Sequence, residues 1–234
     1  MENYFNYFTE IEEHFQRRFG GALLLSTVDW ALIEVWKDAG IPLEAVLRGI
    51  DVTFDHYQRR PSKTRKVNSL GFCAQEVLSA AEEMKEAAVG SPRPEVQKDA
   101  GFRPEEITAF LHRAAKQLEA AELPEKSGLS ASQLAQETAD TLHKLANEIE
   151  SAGNLPRLED LERKLSVAEE RLFAIVLASS PDADVLAVRA EADREMSPYR
   201  RKMQAAQIEQ LQKQYVRKRL LEKYGLPRLS LFYM

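Results

Sequence analysis

Apolar residues recur along this chain at intervals of three and four, and no stretch alternates strictly between apolar and polar, so the pattern predicts helices and no sheet. Glycine and proline punctuate the periodic runs and mark out about eight helices. The first, near residues 3–19, sets Tyr4, Phe8, Ile11 and Phe15 on one face and stops at Gly20 and Gly21. The second starts at Ser26, with Asp29 placed to complete a capping box. It carries Leu32, Val35, Trp36 and Ala39 on one face, with Trp36 a core residue, and stops at Gly40. Pro42 suits the first turn of a third helix, whose buried side is Leu43, Val46, Leu47, Ile50 and Phe54. A fourth helix covers about residues 67–88.

Residues 90–103 read as a linker, because Pro92, Pro94 and two glycines interrupt any periodic run. Beyond it, a fifth helix (about 104–122) opens with Glu105 and Glu106, acids that favour a helix N-terminus. A sixth starts at Ser130, with Gln133 as its capping-box partner, and runs to about residue 151. The seventh (about 156–179) carries a near-heptad stripe through Leu158, Leu161, Leu165, Ala168, Leu172, Ile175 and Val176. The eighth runs from residue 182 to 224 and stops at Gly225; Pro198 inside it either kinks one helix or lets Ser197 cap a new one. Helices seven and eight are expected to pack as an antiparallel hairpin. The tail LPRLSLFYM is too apolar for water, so Leu226, Leu229, Leu231 and Phe232 are expected to dock on the protein's own body or on a partner. The architecture read from the pattern is all-α: an N-terminal four-helix unit (1–89), a linker (90–103) and a coiled-coil-like C-terminal helical region (104–234) with a long hairpin.

Charge adds one feature to this picture. The whole chain is at −5, yet residues 200–228 hold nine Lys or Arg against two acids, or +7, so the last helix is basic. Earlier in the chain, the loop Arg59-Arg60-Pro61-Ser62-Lys63-Thr64-Arg65-Lys66 has five cations and no acid. Arg200–Lys202 and Arg217–Arg219 would lie about 26 Å apart on an unbroken helix, a spacing that could meet successive phosphates. The other reading of that helix is a solvated face, or a partner for the acidic helices.

Catalytic chemistry finds no template here. There is no GxxxxGK[ST], GxGxxG or GxSxG, and His14, His56, His112 and His143 form no HExxH or ExxH pair. Glu10 and His14 share a face and read as a solvated or capping pair, and the doublets Glu12-Glu13, Glu82-Glu83, Glu105-Glu106 and Glu169-Glu170 as solvated surface. The single cysteine, Cys73, excludes an internal disulfide, fits a reducing compartment and reads as a buried packing residue. The N-terminal segment lacks the basic and apolar regions of a signal peptide, and no window suits a membrane span, so a soluble, cytoplasmic protein with no cofactor and no metal is expected.

Glu13 and Phe15, Leu25-Ser26 with Asp29, Ile33, Trp36, Gly40-Ile41, Val46 and Ile50 together resemble the C-terminal helical domain of DnaD-type primosome and phage replication proteins. The resemblance spans residues 7–78; the family's closing Tyr-Ile, Ile-Leu and tryptophan motif is replaced here by Val67–Phe72. It implies DNA association and nucleoprotein assembly without catalysis. The expectation is therefore a non-enzymatic, DNA-associated replication or assembly protein. Its phosphate contacts would be Arg59, Arg60, Lys63, Arg65 and Lys66, with Arg217, Lys218 and Arg219 secondary. The rival is a protein-only adaptor that engages a partner, or a second copy, through apolar helix faces and the tail residues Leu229, Leu231, Phe232 and Tyr233.

Overall fold

The computed structural model describes residues 6–21, 23–59, 66–87, 102–126 and 128–234. Tyr4, most of the linker and the centre of the first basic loop lie outside the described residues. Nine α-helices form among the described residues, and the sole extended pairing there is an isolated bridge between Lys126 and Leu129. The protein is all-α.

The helices group into two units, one built from Met1–Lys98 with Glu191–Tyr215, the other from Asp99–Ala190 with Val216–Met234. Residues 191–215, which sequence periodicity places in the C-terminal region, thus belong with the N-terminal helices.

In the first unit, α1 (Tyr7–Phe19) ends at Gly20, whose φ of +80° a side chain would strain. The Ser26–Asp29 capping box is present at the start of α2 (Thr27–Asp38). All of residues 31–36 are buried, so α2 is covered on every side instead of along one stripe, while Ala39 is exposed. Trp36 is a core residue, as its spacing predicts. Phe15 of α1 meets Phe54 of α3 (Leu43–Arg59) edge to face at 5.6 Å.

Against α3 packs α4 (Ala74–Ala87), the tightest crossing of the unit. A Cβ added at Gly49 would lie 2.5 Å from the Val77 backbone, so the two helices touch main chain to main chain. The fourth helix begins at Ala74, later than the periodicity predicts, because the preceding backbone is engaged elsewhere. Leu70 N–H and Ser69 Oγ both donate to Asp29 Oδ1 at 2.7 Å, and Ser69 Oγ accepts from Gly71 N–H at 3.1 Å. These side-chain bonds hold Leu70–Phe72 as a single 3-10 turn.

Pro198 neither kinks a continuous helix nor lets Ser197 cap a new one. Helix α8 (Asp182–Met196) stops, residues 197–202 make tight turns, and α9 (Ala205–Lys223) starts afresh. Backbone bonds three residues apart, Ser197 N–H to Arg194 and Tyr199 N–H to Met196, replace the helical ladder that proline cannot continue. The turn turns Tyr199 onto the first unit, where its ring meets Phe72 at 5.3 Å and covers Gly71.

In the second unit the most extensive pairing is between α5 (Pro104–Ala120) and α6 (Ala131–Ala152), around Ile107, Leu111, Leu142 and Ile149. Helix α7 (Leu158–Ser179) packs on α6, and its Phe173 and Leu177 join Val188, Val216 and Leu220 in a second small cluster.

Candidate functional site

Of the first basic cluster, Arg59 closes α3 and is exposed, and Lys66 is exposed beyond the loop; Arg60, Lys63 and Arg65 lie outside the described residues. The second cluster is largely spent within the protein. Arg217 reaches Glu169 on α7 at 3.0 Å with its guanidinium over Phe173, and its side chain is only 19% exposed. Lys218 and Arg219 both pair with Glu222 of their own helix, at 3.1 and 3.0 Å. The break after Met196 also removes the unbroken helix that would have spaced residues 200 and 217 as one phosphate-reading stripe.

Of the two dockings open to the tail, the structure shows the intramolecular one. Leu229, Leu231 and Phe232 are buried in the second unit, and Tyr233 is half-buried beneath Arg228, whose guanidinium lies 4.4 Å from the ring centre. Two glutamates seven residues apart on α7 hold the backbone. Glu169 accepts from Leu229 N–H at 2.6 Å and from Arg228 Nε at 3.1 Å; Glu162 accepts from Leu231 N–H and Ser230 Oγ, both at 2.7 Å. Only Glu170 of the Glu169-Glu170 doublet is solvated, since Glu169 is 3% exposed. A helix with a polar seam that faces a polar chain terminus looks, in sequence, like a helix with a polar surface.

Two further titratable groups serve structure. His14 Nε2 pairs with Asp51 at 2.9 Å instead of with Glu10. Burial pushes the Cys73 thiol up to about 12, which keeps it protonated and unreactive at neutral pH. Among the described residues no three His, Cys, Asp or Glu side chains gather as a metal-binding group.

The surface feature that spacing did not flag is a groove between α6 and α7. It encloses about 540 Å³ over an apolar floor of Leu134, Leu142, Leu145, Leu165 and Ala168. Val167 stands at its edge, 49% exposed. Arg163, Lys164 and Arg171 border it; Arg163 pairs with Asp160 at 2.9 Å, while Lys164 and Arg171 are exposed and make no ion pair among the described residues. The signal for it was present in part. Val167 interrupts the polar side of the α7 stripe, giving an apolar face wider than one neighbouring helix covers.

Residues 6–92 match a family model described only as "Uncharacterised protein", and this stretch takes in α1 to α4. No curated protein and no solved structure matches the chain.

Proposed function

We propose that this chain is a non-enzymatic interaction protein whose α6–α7 groove receives an amphipathic helix of a partner protein, one carrying acids beside its apolar stripe. The observation that carries this reading is the groove itself: an apolar floor left open to water, with the exposed Lys164 and Arg171, which make no ion pair among the described residues, along its edge. Helix-in-groove recognition needs those two elements, an apolar trough for anchors at helical spacing and complementary charge at the rim to set orientation. Fluorescence anisotropy tests it with three labelled peptides: an acidic amphipathic helix, its basic counterpart and a scrambled control. The acidic peptide is expected to bind best and to lose at least tenfold in affinity with Val167→Asp or with Lys164→Glu/Arg171→Glu. Equal binding of all three peptides, or indifference to these substitutions, rejects the groove as the site.

A second reading, association with DNA, rests on the exposure of Arg59 and Lys66 at the two ends of the basic loop and on the DnaD-type resemblance. Its test is binding to single- and double-stranded DNA at low salt, with the five loop cations changed to serine. Loss of binding in that variant supports this reading, and no binding by the natural chain sinks it.

A further inference from the structure

Two segments of the second unit repeat one another. HRAAKQLE at 112–119 and HKLANEIE at 143–150 agree at five of eight places: His, a basic residue, Ala, a branched aliphatic residue and Glu. In both copies the Leu before the histidine, the alanine and the aliphatic residue are buried, so α5 and α6 turn the same face to each other. His112 meets Glu150 and Glu119 meets His143, the crossed pairing of two antiparallel helices related by a local two-fold axis.

Near that axis the two histidines converge. His112 Nδ1 and His143 Nδ1 are 2.9 Å apart, with the rings tilted by 39°. Each Nε2 faces a carboxylate of the other helix, His143 to Glu119 at 3.2 Å and His112 to Glu150 at 3.5 Å. A carboxylate accepting from Nε2–H selects the tautomer whose Nδ1 carries the lone pair. Glu119 does this for His143, whose Nδ1 then accepts from His112 Nδ1–H, while Glu150, 3.5 Å from His112 Nε2, stands where it can take that ring's proton once a metal displaces it from Nδ1. With metal–imidazole bonds of about 2.0–2.1 Å, the separation of the two Nδ1 atoms subtends roughly 90° at the metal. That is the angle between neighbouring ligands of a tetragonal ion.

We propose that His112 and His143 form a two-nitrogen chelate for a tetragonal divalent transition ion, Cu²⁺ or Ni²⁺, with Glu119 and Glu150 as the outer partners that orient the rings. The histidine side chains are 32% and 30% exposed, so water reaches the remaining coordination positions. Both ligands are neutral rings, and the metal takes the place of the proton between the two Nδ1 atoms, which passes to His112 Nε2 facing Glu150, so binding releases no net proton.

Cu²⁺ titration of the full chain, followed by electron paramagnetic resonance, tests this assignment. The expected result is one ion per chain with hyperfine coupling to two imidazole nitrogens. His112→Gln and His143→Gln should each weaken binding at least tenfold while circular dichroism shows the helices intact. Glu119→Gln and Glu150→Gln should weaken it by about 10- to 100-fold. Equal Cu²⁺ affinity in the natural chain and the His112→Gln/His143→Gln variant overturns the proposal, as does nitrogen coupling that survives in that variant. If neither Cu²⁺ nor Ni²⁺ raises the melting temperature of the natural chain above that of His143→Gln, the pair holds only a proton and the metal site is rejected.

Discussion

Glu169, midway along α7, accepts the backbone N–H of Leu229 at 2.6 Å, sixty residues further along the chain. The same carboxylate also serves Arg217 at 3.0 Å and Arg228 at 3.1 Å, so one buried acid ties the end of α9 and the tail to α7 within the second unit. Glu169→Ala leaves two largely buried guanidinium groups without their counter-charge, at a cost of about 3 kcal/mol. Urea denaturation should show that loss as a lower midpoint, and limited proteolysis should show residues 226–234 becoming cleavable. An unchanged tail would mean that the apolar residues Leu229, Leu231 and Phe232 hold it without the carboxylate.

Gly49 gives a substitution whose direction contradicts helix propensity. On an open helix, Gly→Ala stabilises by about 1 kcal/mol. Here the new methyl group would meet the Val77 backbone at 2.5 Å, and neither main chain yields without moving a helix. Gly49→Ala is expected to destabilise by roughly 2 kcal/mol, in the range of overpacked cores. A stability at or above that of the natural chain would show that α3 and α4 can separate freely.

For Asp29 the expectation concerns donors. Its two oxygens accept from Ser26 N–H, Ser26 Oγ, Ser69 Oγ and Leu70 N–H, at 2.7–2.9 Å. Asn in its place offers an NH₂ where an acceptor stood, leaving buried donors unmatched. Asp29→Asn should cost about 3 kcal/mol, and Ser69→Ala about 1 kcal/mol. Differential scanning calorimetry of the two variants checks the order.

Cys73 links pH to stability. Its thiol sits at about 12 in the folded protein, against an ordinary value of 9.0, because burial disfavours the thiolate. Between these values the unfolded chain has lost the proton that the folded chain retains, so stability falls as pH rises, by up to about 1.4 kcal/mol per unit above pH 9. Below pH 9 the group contributes no slope. Cys73→Ala should remove this alkaline component from the pH dependence of the unfolding midpoint. Iodoacetamide at pH 8 should modify the natural chain only in denaturant.

Local signals carried most of the helix assignment. Gly20 stops α1, and Ser26 and Ser130 cap α2 and α6 through the amides three residues on, where spacing placed them. What the chain did not disclose was distant in sequence. Asp29 fits a capping box, yet nothing local says that its second oxygen holds Leu70, or that this delays the fourth helix to Ala74. Arg217 sits in a run of three cations that reads as one cluster, but helical geometry turns it toward α7 and Glu169. The groove eluded periodicity for a related reason: an apolar stripe shows that a face is covered, and its width alone hints that the cover is partial. The paired histidines lie 31 residues apart, and only the antiparallel packing of α5 on α6 brings them together.

The division of the chain has a consequence for its synthesis. Unit one draws on residues 191–215, so the 92 residues from 99 to 190 must be translated before its last segment exists. At about 5–20 residues per second, a ribosome needs roughly 5–20 s to make that stretch. Throughout that interval Gly71 and Phe72 wait without Tyr199 over them. The nascent N-terminal helices thus leave the ribosome with an apolar surface that chaperones can bind, and the first unit to begin is not complete until most of the second has been made.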